Sequence, residues 1–464
     1  MQYYLAVDIG ASSGRHIIGW VQDGKMMLEE VYRFENNLQK KNGSLCWDTD
    51  HLFFSIVEGM KACKQVGKIP TTMGIDTWAV DFVLLDEQGN RLGDTVGYRD
   101  SRTEGMDKLA EEILSFEDLY AKTGIQKQLF NTLYQLLAVK KESPQLLEQA
   151  NRFLMIPEYF NFRLTGVAKN EYTNATSTAM VNAHTKTWDT ELMNWYGIPT
   201  HLFGDLAMPG ETVGNLLPEI REQVGFDCKV ILPATHDTGS AFLAVPAAND
   251  TSVYISSGTW SLLGVENKQA ITSVDSAKAN FTNEGGYEYR FRYLKNIMGL
   301  WMIQSIRRNF DKKYSFADLE NMAKECADFS SVVDVNNPAF LAPESMVEAV
   351  KSVCRQTGQP VPQSVGELMQ CVYQSLARSY REAIKELSHL TGVTYTHIHI
   401  VGGGSKDGYL NSLTAAATGL PVIAGPTEGT ALGNLMVQMI VGGDFTDLQD
   451  ARNAIGNSFE LKQY

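Results

Sequence analysis

Asp8, Gly10, Gly14 and Arg15 fall within one short stretch, VDIGASSGRHIIGW (residues 7–20). A carboxylate, small residues that leave backbone N–H groups uncovered, and a guanidinium together suit the binding of anions. The spacing GxxxxGK[ST] occurs nowhere in the chain, so this is not the common phosphate loop. A tight hairpin with an incidental Arg15 is the plain alternative. Gly14 is expected to supply a positive φ in this turn. Two more small-residue turns follow apparent strands: SSGTW (256–260) and GGGSKD (402–407). The latter misses the dinucleotide spacing GxGxxG by one position, because Gly408 stands where residue 407 is required. Three such turns, with a carboxylate beside the first, are the equipment of phosphoryl transfer: bare backbone and hydroxyls for phosphates, and an acidic group for Mg²⁺.

Such a reaction also needs a base. Asp237, in LPATHDTGSAFLAVPA (232–247), is flanked by the hydrogen-bonding side chains of His236 and Thr238 and suits proton abstraction from a hydroxyl. A helix N-cap ahead of an apolar run is the structural alternative for Asp237. Asp76 and Asp81, in MGIDTWAVDFVLLDEQGN (73–90), are rival bases. Read as one strand, their odd separation puts them on opposite faces, so that only one enters a binding site. Asn296 and Gln304 span the join of an alternating strand, YEYRFRYL, and a helix, and suit either ligand contacts or structural amide bonds. His397 and His399 share a strand face with no third metal ligand in reach, and read as packing.

The elements that must position these residues are legible in outline. Strands are expected at residues 3–9, 15–21 and 26–34, with DGK as a hairpin turn, and a strand pair over 73–90 ends in Gly-Asn. Helical spacing covers 129–141, ahead of Pro144. Ser364 and Glu367 form a capping box for a helix that stops at Gly392, and 397–419 reads as strand, glycine turn and helix. VYISSGTWSLLGV (253–265) repeats the layout of the chain's opening, so two related domains are expected, with 232–247 as the crossing point.

With 464 residues the chain exceeds one ordinary core. Its net charge of −14 argues against nucleic acid as the main partner, and requires a local electropositive pocket for an anionic substrate. Six scattered cysteines (Cys46, Cys63, Cys228, Cys326, Cys354 and Cys371) without a CxxC pair read as reduced thiols of a cytoplasmic protein. The start, MQYYLAVDIG, has no basic region of a signal peptide, and no run of 18 apolar residues is present to span a membrane.

The chain resembles the FGGY family of carbohydrate kinases, within the actin-like ATPase superfamily. The likeness is carried by VDIGASSGR, GIDTWAVDFVLLD, YRDSRT, PEYFNFRLTG, THDTGSA, YISSGTWSL, NFTNEGG, LKNIMGLW, VGGGSKD and AGPTEGTALGN, in order over nearly the whole length. It implies an α/β fold of two actin-like ATPase (ribonuclease H-like) domains, 1–244 on the sugar-binding side and 245–464 on the nucleotide-binding side, with an interdomain catalytic cleft. It implies ATP-dependent phosphorylation of a ketose at its C1 hydroxyl, L-rhamnulose first, with L-fuculose or xylulose as alternatives and a non-kinase actin-like ATPase as a third reading. By the same resemblance, Ala11, Ser12, Ser13, Gly14 and Arg15 hold ATP phosphates, Thr259 forms a second phosphate turn, Gln304 and Gly402 lie near the nucleotide, and Asp8 positions Mg²⁺ through water. Ala79, His236, Asp237, Thr238 and Asn296 face the sugar, with Asp237 as the base. Trp78 or Phe82 is expected to wall the substrate's methyl group. The family usually has glycine where this chain has Ala79, and Lys406–Asp407 varies the end of the adenosine turn. Sugar and ATP are the implied partners, without nucleic acid or membrane; monomer and dimer are both compatible.

Overall fold

The computed structural model describes residues 1–247 and 249–464. The chain divides into two compact units: residues 1–244, 266–293 and 430–458 form the first, and 245–265, 294–429 and 459–464 the second.

The first unit is built on a mixed sheet. Its strands are β1 (Tyr4–Ile9), β2 (Ser13–Gln22), β3 (Lys25–Glu35), β4 (Thr72–Thr77), β5 (Thr212–Asn215) and β6 (Lys229–Ile231), in the spatial order β5-β6-β4-β1-β2-β3. The β1–β2–β3 meander is antiparallel, while β1, β4 and β6 run parallel. Asp23 and Gly24 close the β2–β3 hairpin at φ 51° and 73°, the positive pair that matches strand twist.

Every residue of β1 is buried, as expected of a central strand covered on both faces. Leu5, Val7 and Ile9 project toward the helix Thr49–Gln65, which presents Leu52, Ile56, Val57, Met60 and Cys63 at helical spacing to the same core. Alternation sends Tyr4, Ala6 and Asp8 to the opposite face. There the helix Gly429–Gly442 lies so close that a Cβ on Gly19 would meet Leu435 at 2.7 Å, and one on Gly74 would meet Asn434 at 2.7 Å.

A second sheet contains β7 (Ser252–Ser257), β8 (Trp260–Asn267), β9 (Phe291–Met298), β10 (His397–Val401), β11 (Val422–Ala424) and β12 (Lys462–Gln463) in the order β9-β8-β7-β10-β11-β12, with the strand Thr282–Gly285 beyond β9; its residues 266–293 belong to the first unit and the rest to the second. A long helix, Val365–Thr391, begins at the Ser364–Glu367 capping box and ends at Gly392 with φ 71°. His399 is buried, with its ring edge-on to Tyr254. Among the described residues, no helix is long and apolar enough to cross a membrane.

Candidate active site

The carboxyl ends of the parallel strands in the first unit gather its acidic residues, the end at which open α/β sheets place ligands. Asp8 is the register partner of Arg15 on β2 and of Asp76 on β4. Side chains of directly opposed residues share a face, so Arg15, Asp8 and Asp76 form one row across three strands. Arg15 donates from Nε and Nη2 to Asp8 Oδ2 at 3.0 and 2.8 Å. Asp76 is fully buried; its Oδ2 accepts from Asn434 Nδ2 at 2.6 Å, while its Oδ1 has no hydrogen-bond partner among the described residues. Burial first, then the charge of Asp8, raises the Asp76 carboxyl well above the usual carboxylate range.

The turn that joins β1 to β2 closes with Gly10 N–H donating to Ser13 O at 2.9 Å, leaving Ala11 and Ser12 at its tip. Gly14 does not have the positive φ expected for it. Glycine is required there by the ring of Phe34 on β3, which a Cβ would approach within 2.1 Å. The reason is steric closeness between neighbouring strands, which the local sequence does not reveal.

After β4 the chain turns sharply. Val80 adopts φ 67°, a strained conformation for a β-branched residue. Thr132 Oγ1 and Gln135 Nε2 hold this turn by donating to Val80 O at 2.7 and 3.2 Å. Asp81 therefore lies beyond the strand rather than on its other face, and both rival aspartates are buried. Asp81 accepts from Trp47 Nε1, Trp78 Nε1 and Tyr98 N–H through Oδ2 and from Gln135 Nε2 through Oδ1, at 2.6 to 3.1 Å. Four donors occupy it, which makes it the organiser of this turn. Phe82 is buried and stacks on Phe153, with ring centroids 5.0 Å apart. Trp78 is also buried, 4.2 Å from the ring of Trp47, and Ala79 is half-buried beside it.

The segment after β6 comes alongside the end of β4. Thr77 pairs in parallel with His236, and Thr77 N–H donates to Thr235 O at 3.0 Å. Buried Glu171 fixes the approach, with Oε2 accepting from Thr235 N–H at 3.2 Å and Thr235 Oγ1 at 2.6 Å. His236 occupies the N-cap position of the helix Asp237–Leu243 without a side-chain cap bond, and Asp237 is the first residue of that helix, so the N-cap alternative for Asp237 does not hold. Thr238 N–H and Oγ1 approach Asp237 Oδ1 at 2.6 and 3.1 Å, and His236 Nε2 stands 3.5 Å from that oxygen. The Asp237 side chain keeps 31% of its surface exposed. Its carboxyl is raised, chiefly by removal from water, with His236 opposing and the Asp8 charge adding to the shift.

Two residues behind His236 escaped sequence reading. Glu284, on the strand Thr282–Gly285, and Arg292, on β9, pair at 3.0 Å and are buried. Burial opposes the charge of Glu284, yet Arg292 and His236 hold its carboxyl below the usual range. The alternation of YEYRFRYL suggests an outward arginine at 292; the structure turns it inward, between buried Phe291 and Tyr293. Asn434 also escaped, although it closes the quoted motif AGPTEGTALGN.

In the second unit, the turn between β7 and β8 packs on the glycine turn after β10. A Cβ on Gly402 would lie 2.8 Å from Ser257 O, and one on Gly404 only 1.9 Å from Ser257 Oγ, whereas one on Gly403 would meet open space. Two of these glycines therefore serve turn-against-turn packing, and the third leaves backbone bare. Thr259 O accepts from Gly299 N–H and Trp301 N–H, each at 3.2 Å, and Gly258 O accepts from Leu300 N–H at 3.0 Å. These bonds suspend the helix Trp301–Asn309, which carries half-buried Gln304, from the Thr259 turn. Asn296 lies on the part of β9 that belongs to the second unit, with a buried Oδ1 that has no donor among the described residues. The structure thus brings Asp8, Arg15, Asp76, Ala79, His236, Asp237 and Thr238 to the strand ends of one unit, and places Thr259, Gln304, Gly402 and Asn296 in the other.

Residues 3–244 match the N-terminal domain, and residues 253–441 the C-terminal domain, of the FGGY family of carbohydrate kinases. The chain is 52% identical to a protein named rhamnulokinase from Oceanobacillus iheyensis, with 100% of this chain and 98% of that one covered. It is 51% identical to a rhamnulokinase from Halalkalibacterium halodurans (100% and 99% covered), and 43% to one from Bacillus subtilis (99% and 95%). The fold matches a ligand-bound xylulose kinase from Lactobacillus acidophilus with a TM-score of 0.83 at 18% identity (100% and 94% covered). It also matches a glycerol kinase from Plasmodium falciparum with ADP, at a TM-score of 0.78 and 14% identity (99% and 94%).

Proposed function

We propose that this chain, which belongs to the FGGY family of carbohydrate kinases, transfers the γ-phosphoryl group of ATP to the C1 hydroxyl of L-rhamnulose. The products are L-rhamnulose 1-phosphate and ADP, in L-rhamnose catabolism. The observation that carries this reading is identity of 43% to 52% with rhamnulokinases over essentially the full chain.

Asp237 is the base in this reading. Every hydrogen-bond donor the structure gives it lies at Oδ1, which leaves Oδ2 for the proton of the C1 hydroxyl. As that proton leaves, the C1 oxygen forms a bond to the γ-phosphorus, and the bond from phosphorus to the β–γ bridging oxygen breaks, releasing ADP. A carboxyl raised by its surroundings is a better proton acceptor than an ordinary aspartate. Ala79, His236, Thr238 and Asn296 bind the sugar. Ala11 to Arg15, Thr259, Gln304 and Gly402 bind ATP. Residues 1–244 are the sugar-binding side and 245–464 the nucleotide-binding side.

Mg²⁺ fits the chemistry of the acidic row. Asp8 faces a second carboxyl group, Asp76, whose buried Oδ1 has no donor among the described residues, and a cation nearby would favour the ionised form of that group. Among the described residues, no three His, Cys, Asp or Glu groups gather as a metal cage. Asp8 acting through water, with phosphate oxygens as the remaining ligands, matches the habits of Mg²⁺. When bound, the ion neutralises charge on the transferring phosphates. Six unpaired cysteines support a cytoplasmic location.

A coupled ADP assay over a panel of ketoses tests the assignment. L-Rhamnulose should give the highest kcat/KM; a preference for xylulose or L-fuculose would transfer the assignment to that sugar. ADP release that no ketose stimulates would favour an actin-like ATPase without a sugar substrate.

A further inference from the structure

Arg292 and Glu284 belong to none of the roles assigned above, yet both are charged and nearly sealed, with 1% and 9% of their side-chain surfaces exposed. A buried ion pair is a poor stabiliser, because desolvation offsets most of its Coulomb gain. Its placement is more informative. Arg292 Nη2 donates to His236 Nδ1 at 3.1 Å, Nη1 pairs with Glu284 Oε2 at 3.0 Å, and Nε donates to Gly285 O at 3.0 Å. Two hydrogen bonds and one ion pair thereby hold the guanidinium.

A guanidinium has only donors, so the imidazole atom that faces it presents a lone pair. The single proton of neutral His236 then sits on Nε2. Glu284 Oε2 lies 3.3 Å from the same Nδ1, but the hydrogen bond at that atom is the one from Arg292. The Nε2 N–H lies beside Asp237 Oδ1, 3.5 Å distant, alongside the two Thr238 donors.

We infer that Arg292, anchored by Glu284, is a positioning residue for phosphoryl transfer: it holds His236 with Nε2 protonated, so that Asp237 is gripped at Oδ1 and offers Oδ2 to the acceptor hydroxyl. This rests on the reading of Asp237 as the base. Arg292 acts only through His236 and Asp237.

Kinetics of Arg292→Lys in wild-type and Asp237→Asn backgrounds test it. Lysine keeps the charge beside Glu284 but lacks the planar fork that donates to His236 Nδ1 and Gly285 O at once. The expected result is a fall in kcat of about ten- to a hundredfold with the KM for ATP within about twofold, and less than about twofold further loss once Asp237 is already asparagine. Glu284→Gln, which leaves the guanidinium in place but weakens its anchor, should give the same pattern to a smaller degree. Equal losses in both backgrounds mean a general packing role and overturn the inference, as does wild-type kcat in a folded Arg292→Lys enzyme. Imidazole ¹⁵N shifts of His236, assigned by their loss in His236→Gln, read the tautomer without reference to activity. A neutral ring protonated at Nδ1 refutes the scheme even where Asp237 is the base. Near-normal kcat in Asp237→Asn alone removes the base assignment, and this inference with it, through a different measurement.

Discussion

Replacing Asp76 with asparagine should make the protein more stable. Asp76 is fully buried, holds one donor at Oδ2, and faces Asp8 directly across a parallel strand pair. Taking the carboxylates as about 5 Å apart, the spacing of neighbouring strands, with an effective dielectric near 20, their repulsion is about 3 kcal/mol. Arg15, paired with Asp8, cancels part of it. A net gain of about 1–3 kcal/mol is therefore expected near neutral pH, or roughly 2–5 °C for a unit of about 300 residues. The pH dependence follows from the raised carboxyl. The folded state holds the Asp76 proton more tightly than the unfolded state does, so wild-type stability falls as pH climbs from 3.8 through the folded value and then levels off. The advantage of Asp76→Asn should be absent near pH 4 and open steadily above it. Melting curves of both proteins across this range, with chelator and without nucleotide, measure the gap. A lower midpoint for Asp76→Asn at pH 8, or a gap that does not change with pH, would refute the account of the carboxylate row as electrostatically strained.

Asp237→Asn should lower kcat by about 10²–10⁴ while ATP and sugar affinities stay within a few-fold, since only proton acceptance is lost; near-normal turnover would place the base elsewhere. Gly14→Ala should destabilise the protein by about 1–3 kcal/mol, because its Cβ would lie 2.1 Å from the Phe34 ring. Phe34→Ala should recover part of that loss in a double-mutant cycle of unfolding free energies, and additive losses would contradict the steric account. Gly404→Ala should raise the KM for ATP more than that for the sugar, since a methyl group placed 1.9 Å from Ser257 Oγ must push the two turns apart. Equal effects on both constants would point to misfolding instead.

Much of this protein is written locally. The Asp23–Gly24 hairpin, the Ser364–Glu367 box with its Gly392 stop, and the strand, glycine turn and helix over 397–419 depend on dihedral preferences and hydrogen bonds among near neighbours. The types of residue at the turns, and their order along the chain, were enough to identify the family and to nominate Asp8, Asp237 and the glycine turns. The arrangement of those residues was not legible. Asp8 and Asp76 oppose each other only because β1 and β4 pair in one register, and sliding by one residue would send every side chain of β4 to the other face. The reason for glycine at 14 lies in a ring on another strand. Asp81 left the strand to which alternation assigned it because Val80 accepts a strained turn that Thr132 and Gln135 hold. Arg292 looked like an outward residue of an alternating strand, and only the fold supplied the buried Glu284 and His236 that make an inward guanidinium tolerable. Local sequence encodes what neighbouring residues do to one another; charge against charge and ring against backbone are set by strands that meet only after folding.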